Sequence, residues 1–338
     1  MNTHASTQYS RARSVSNHVA EAPITTPRPA LRLPLYARDG RKLQWNEDHT
    51  AVMFDSTDTE YHSDYHAASS SALKLLDRSP AHLHQTRLNA LTGANNRTSK
   101  ALLFGTAVHS AVLEPSDFAK KYLLFPTKAA NPSRSSKAFK TFEEDHPSAR
   151  ILMPEEAARV QSAATRISAT TVIRSNAGSF TMADLVQLGV KERNIYWIDD
   201  ATGVTCKARL DLTVENIVLD VKTAEDARYD RFKYDAAKYG YHIQAAFYMA
   251  GFAKFMQRGR PIIMMFAVVE SAAPHATAVY QADKETFWEF GAKRVAELLP
   301  IYKQCMATQI WPAYAPETQL LKLPLSKLYQ APKFNFNY

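Results

Sequence analysis

An aspartate inside an apolar run constrains this chain more than any other feature. Asp220 lies within Ile217-Val218-Leu219-Asp220-Val221, where an unpaired charge is costly to bury. Just upstream, Lys207-Ala208-Arg209-Leu210-Asp211-Leu212-Thr213 alternates charged and apolar residues, the period of a half-buried strand. Glu215-Asn216 separates the two runs and reads as a two-residue hairpin turn. Pairing across that turn puts Asp211 opposite Asp220 and Arg209 opposite Lys222. Lys207, Arg209 and Asp211 then share one face, and Ala208, Leu210 and Leu212 take the other. Two ionised carboxylates whose Cβ atoms lie about 4.5–5.5 Å apart repel one another. A shared proton resolves the conflict, and so does a divalent cation. Carboxylate and backbone carbonyl oxygens suit Mg²⁺ or Mn²⁺. Such a cation activates water and stabilises charge on a phosphoryl oxygen. Lys222, on the face of Asp220, can orient or deprotonate that water. A surface hairpin with solvated charges is the plainer alternative, and the apolar setting of Asp220 argues against it.

The rest of the chain supplies a setting for this hairpin. Ser69-Ser70-Ser71 opens a short helix through Ala72–Leu76, with a serine as N-cap, and Ser79-Pro80 starts the next. Lys100–Leu113 has the periodicity of a buried helix and is stopped by Glu114-Pro115. The small residues Gly105, Thr106 and Ala107 let it approach a sheet closely, and His109 follows on the same helix. Residues 127–147 are polar and basic and read as a mobile loop or gate. A helix over Pro154–Ala169, strands at Val190–Trp197, Val204–Thr213 and Ile217–Thr223, and a turn at Asp199–Gly203 come next. A single long helix over Lys233–Met256 is expected, then a buried strand at Ile262–Val269 and another at Thr277–Tyr280. Asp283 caps a final helix ending near Gln304. Glu192 starts a strand from which it can approach the site, though a plain charged strand end is the easier reading, and His62 and His66 read as solvent or capping groups. Helices flanking a strand cluster indicate an α/β core.

Asp211 followed by Asp220-Val221-Lys222 resembles the PD-(D/E)XK nuclease signature, with Leu210 at the proline position and Asp in place of Glu. Gly105-x-x-x-His109 and Gln244-x-x-x-Tyr248 are similar to elements of RecE-type (exonuclease VIII) and RecB-type nucleases, and Ser69–His82 resembles the start of the RecE-type domain. The resemblance spans residues 61–311 and extends to phage exonucleases of the lambda type. It implies a restriction-endonuclease-like core, with a mixed central sheet flanked by helices, and a Mg²⁺-dependent (or Mn²⁺-dependent) exodeoxyribonuclease. By that resemblance His109, Asp211, Asp220 and the Val221 carbonyl hold metal, Lys222 positions the water, and Gln244 and Tyr248 orient substrate. Ser71, with Arg78 or Arg87, holds a phosphate, and Lys207 and Arg209 contact the DNA backbone. Linear double-stranded DNA is the expected substrate, cut 5′ to 3′ to leave a 3′ tail. A single-strand annealing protein is the expected partner, and a ring-shaped homo-oligomer is expected by family alone.

Composition narrows the rivals. Cys206 and Cys305 are the only cysteines, which excludes a four-thiolate iron–sulfur nuclease and fits a reducing, cytoplasmic setting. The longest apolar run, Ile262–Val269, is far shorter than the roughly 20 residues that span a bilayer. The net charge of +8 suits a polyanion partner. Much of it comes from residues 1–45, a Ser/Pro-rich basic arm expected to be disordered; residues 312–338 form a tail. The alternatives are another endonuclease of the superfamily or a non-catalytic DNA-binding protein on the same fold.

Overall fold

The computed structural model describes residues 44–45, 51–54, 58–93, 99–127, 133–175, 178–256, 259–314 and 317–322. The expected arm lies outside these residues except for Gln44–Trp45. So do the tail beyond residue 322 and residues 128–132 of the expected gate.

Order begins earlier than residue 61. Strands β1 (Gln44–Trp45) and β2 (Ala51–Phe54) precede helices α1 (Asp58–Ser63), α2 (Ser70–Arg78), α3 (Pro80–Thr92), α4 (Lys100–Leu113) and α5 (Pro115–Lys121). The helix starts follow local chemistry. The Ser69 and Ser99 side chains accept from Ala72 N and Leu102 N, and Pro80 and Pro115 occupy first-turn positions, where a missing N–H costs nothing. The segment expected to be a mobile gate holds α6 (Lys137–Asp145), capped by Ser136 and anchored by buried Phe139. A small parallel pair, β3 (Tyr122–Leu124) with β4 (Arg150–Leu152), brackets it. Next come α7 (Pro154–Ser168), the hairpin β5 (Thr171–Ser175) and β6 (Gly178–Thr181), and α8 (Met182–Leu188).

The main sheet is completed by β7 (Val190–Ile198), β8 (Thr205–Val214), β9 (Ile217–Ala224), β10 (Ile263–Glu270) and β11 (Thr277–Gln281), in the order β1-β2-β7-β8-β9-β10-β11. It is mixed: β9 and β10 are parallel and the other neighbours antiparallel. The crossover between β9 and β10 is helical, but the single helix expected there is two, α9 (Tyr229–Lys238) and α10 (Tyr241–Met256). Gly240 breaks it with a left-handed φ of 65°, the backbone state that ends helices and that glycine adopts without strain. Asp283 caps a wide π-helical turn (Lys284–Glu289) that runs into α11 (Phe290–Thr308).

Two cores sandwich the sheet. Leu73 of α2, Ile243 and Phe247 of α10 and Leu298 of α11 pack with Ile195, Ala208, Leu210, Val218 and Phe266 on one side. Val108 of α4, Val160 and Ala163 of α7 and Met182 of α8 pack with Leu212, Leu219 and Ala267 on the other. Each fully buried leucine contributes about 1.5–3 kcal/mol. No helix among the described residues is long and apolar enough to cross a membrane.

The hairpin departs from the regular ladder at one point. Val214 pairs with Ile217, Thr213 with Val218 and Leu212 with Leu219, the expected register, around a turn in which Glu215 takes φ 51°. The pairing stops there. β8 stays with β7 and β9 with β10, so the sheet forks below Asp211. Side-chain alternation slips at the same place: Leu210 belongs to the α10 core and Leu212 to the α4–α7 core. The expectation that Ala208, Leu210 and Leu212 share a face is therefore corrected. So is the direct ladder pairing of Asp211 with Asp220 and of Arg209 with Lys222.

Candidate active site

The fork gathers charged side chains from both layers. Where a ladder bond would continue, Val221 N donates to Asp211 Oδ2 at 2.8 Å, so the carboxylate replaces a strand neighbour. From the α4 side, His109 Nε2 lies 3.0 Å from Asp211 Oδ2 and 3.4 Å from Glu192 Oε1. Gly105, one turn earlier, lets α4 approach: a Cβ there would sit 3.0 Å from Thr223 Oγ1 of β9. From the α10 side, Gln244 Nε2 donates to Asp220 Oδ1 at 2.5 Å and Lys222 Nζ donates to Gln244 Oε1 at 3.3 Å. Lys222 Nζ also pairs with Asp220 Oδ2 at 2.5 Å and lies 4.6 Å from the centre of the Tyr241 ring.

Glu192, which sequence reasoning favoured as a plain strand end over a group approaching the site, is brought into the site. It stands between the paired positions Lys191–Leu212 and Arg193–Leu210, hence opposite Asp211, with a left-handed φ of 52°. A non-glycine residue in that conformation costs of order 1–3 kcal/mol and is found where surrounding structure enforces it. Arg209 Nε holds Glu192 Oε2 at 2.6 Å. Glu192 Oε1 is buried and makes no hydrogen bond, and it lies 3.4 Å from His109 Nε2 as an ion pair.

The ionisation of the cluster follows from this crowding. Burial disfavours charge on His109, but Asp211 and Glu192 outweigh it and raise its pKa to about 9. Burial, reinforced by the Asp211 charge, raises Glu192 to about 7 against the pull of His109 and Arg209. Burial would raise Asp211 too, yet His109, Lys222 and the Val221 N–H hold it below the usual range. Asp220 is raised by burial and by Asp211, with Lys222 opposing. Burial works against the Lys222 ammonium, and the two aspartates more than reverse that, so it stays protonated. Lys222 is thereby favoured as a cation and hydrogen-bond donor.

The ligand atoms of His109, Glu192 and Asp211 all lie within 4.8 Å of one another. One imidazole and two carboxylates, with Glu192 Oε1 making no hydrogen bond, fit a divalent cation. The raised pKa of His109 reflects the carboxylate charge around it, which such an ion would also balance. Asp220 falls outside this triplet, and Gln244 and Lys222 engage its two oxygens. Val221 enters the site through its N–H.

Other expected site residues sit differently. Tyr248 is buried and hydrogen-bonded to Ser70; burial above all raises its pKa well beyond the ordinary phenol value, leaving a neutral hydroxyl that fixes α2 on α10. Ser71 is exposed. Arg87 is engaged with Tyr302 Oη at 2.6 Å and the Tyr65 carbonyl at 2.8 Å, which takes it away from any phosphate role beside Ser71. Lys207 needs correction as a DNA contact. It is buried, and its ammonium donates to the carbonyls of Tyr61 and Asp64, tying the end of α1 to the sheet. Arg209 faces Glu192 and orients a candidate ligand.

Residues 69–324 match a family described as a PDDEXK-like domain of unknown function (DUF3799). No curated protein matches the chain. Among solved structures, the chain is similar to a candidate exonuclease from Eubacterium rectale, at 15% identity and a TM-score of 0.50, over 83% of this chain and 100% of that one. It is also similar to a phage-related exonuclease from Haemophilus somnus 129PT at 16% identity, over 73% of this chain and 98% of that one, with a TM-score of 0.26. The first likeness bears on the fold, and the second is too loose to support an argument.

Proposed function

The chain belongs to the DUF3799 family of PDDEXK-like domains, and on that premise we propose that it is a divalent-metal-dependent deoxyribonuclease that degrades linear duplex DNA from an end. The observation that carries this reading is the fork itself. It sets the Asp220–Lys222 pair on the strand whose Val221 N–H bonds Asp211, and Asp211 and Glu192 in turn meet His109. A structural role alone does not account for five ionisable side chains gathered at the one place where the sheet gives up its ladder.

His109, Glu192 and Asp211 would hold the cation, which supplies a water of lowered pKa and neutralises charge developing on the phosphoryl oxygens. Lys222, fixed by Asp220 and Gln244, donates to the attacking water or to a non-bridging oxygen and stabilises negative charge in the transition state. Gln244 keeps that ammonium and the Asp220 carboxylate in register. Arg209 aims Glu192. By the resemblance noted above, cleavage runs 5′ to 3′, Mg²⁺ or Mn²⁺ serves, and the remaining 3′ strand passes to an annealing protein, with the enzyme acting as a homo-oligomer around its substrate.

The test uses linear duplex labelled at either 5′ or 3′ end and closed circular DNA, each with Mg²⁺, Mn²⁺ or EDTA. We expect loss of the linear forms alone, only with metal, and at least about 10³-fold slower cleavage by Lys222→Ala and Asp220→Ala. Equal cleavage of circular DNA would replace the exonuclease reading with an endonuclease. Unimpaired variants would remove the site assignment.

A further inference from the structure

Resting on the nuclease reading, we propose that Lys74 binds a phosphate of the substrate strand, beside the Tyr241 ring that Lys222 also approaches. Helix α2 is held on α10 by the Ser70–Tyr248 hydrogen bond and by buried Leu73 and Leu76. Lys74 follows Ser70 by one turn, so it lies on the same stripe, facing α10. Its stem packs on the helix break: a Cβ at Gly240 would lie 3.0 Å from both Lys74 Cγ and Cδ. Its ammonium reaches a point 5.9 Å from the centre of the Tyr241 ring, the ring that also carries the Lys222 ammonium at 4.6 Å.

The two amines differ in one respect. Lys222 is matched by Asp220 and Gln244. Lys74 has no hydrogen bond and no ion pair among the described residues, and the nearby Asp220 is already committed. Burial and the neighbouring Lys222 charge lower the Lys74 pKa to about 8, with Asp220 opposing only in part. A partly buried cation short of counter-charge on the wall of an otherwise balanced site is completed by an incoming anion. In a site that handles a nucleic-acid strand, that anion is a phosphodiester. The two arginines grouped with Ser71 in the sequence are less suited, since Arg87 of α3 is engaged elsewhere and Arg78 is exposed at the far end of α2.

The test compares wild type, Lys74→Met and Lys74→Arg, the first keeping the stem while removing the charge. Binding of a fluorescent linear duplex is measured by anisotropy in EDTA from 50 to 200 mM salt, with cleavage rates in Mn²⁺ measured in parallel. Lys74→Met should weaken binding about tenfold and reduce the slope of log K against log salt by about 0.9, the value for one phosphate contact. It should raise KM more than it lowers kcat, and Lys74→Arg should recover most of the affinity and slope. Wild-type affinity and slope in Lys74→Met would overturn the proposal, and so would a Lys74→Arg variant as impaired as Lys74→Met, which would mark a packing role. Wild-type protein that binds but does not cleave would overturn the nuclease reading while leaving the Lys74 contact standing. Failure of the wild type to bind DNA would overturn both.

Discussion

The protonated cluster at the fork makes the metal-free protein lose stability as the solution becomes more alkaline. His109 is raised from an ordinary value of 6.5 to about 9 by its two carboxylate neighbours. A raised pKa means that the folded state holds the proton more tightly than the unfolded chain. The stabilisation is therefore complete below pH 6.5 and is lost as the pH climbs through about 9. A rise of that size corresponds to about 3 kcal/mol. The His109 side chain is 30% exposed, and solvent screening brings the expected effect to about 2 kcal/mol. Glu192, raised to about 7, adds a loss of the same sign between its ordinary pH range and 7. The assay is urea unfolding in EDTA at half-unit steps from pH 6 to 9.5, for wild type and His109→Gln. Wild type should fall by about 2 kcal/mol more than the variant between pH 6.5 and 9. Saturating Mn²⁺ should flatten the wild-type curve by taking the place of the protons. A variant that loses stability as steeply as wild type would refute the account of the cluster.

Other outcomes follow from the same geometry. Glu192→Gln should weaken Mn²⁺ binding at least about tenfold by calorimetry, since it removes a charged donor from the triplet. Gln244→Ala should lower kcat by about 10–100-fold with little change in KM, because it loosens Lys222 without removing it. Lys207→Met should cost about 1–3 kcal/mol in unfolding experiments by leaving the Tyr61 and Asp64 carbonyls without a donor, and should leave the salt slope of DNA binding unchanged. Gly251→Ala should destabilise the fold by about 1–3 kcal/mol, because its Cβ would come within 2.6 Å of the Trp197 ring.

The hairpin was legible because a two-residue turn fixes the register on both sides, and Val214–Ile217 through Leu212–Leu219 pair as the alternation dictates. The end of that ladder was not. It depends on the Asp211 carboxylate taking the Val221 N–H, a side-chain bond with no periodic trace. Glu192 was hidden for a related reason. Its place opposite Asp211 is set by Ile198 pairing with Thr205, and a loop shorter by one residue would have put it opposite Leu210. The approach of α4 could be read from Gly105 and its small neighbours, since only space was at issue. The fate of Lys207 could not, because its acceptors come from a distant stretch, Tyr61 and Asp64. The break at Tyr239-Gly240 carried a usable signal: glycine after Lys238 is an ordinary helix stop.

In the proposed nuclease Asp211 has two duties, as a metal ligand and as a strut that takes the Val221 N–H. Any lineage that lost the chemistry by mutating this acid would also leave the amide of Val221 without its acceptor in a dry interior, at about 1–3 kcal/mol. Inactive descendants of such a chain should therefore carry asparagine or serine at this position, or close the gap by zipping the two strands together. Alanine should be rare there even where turnover no longer matters.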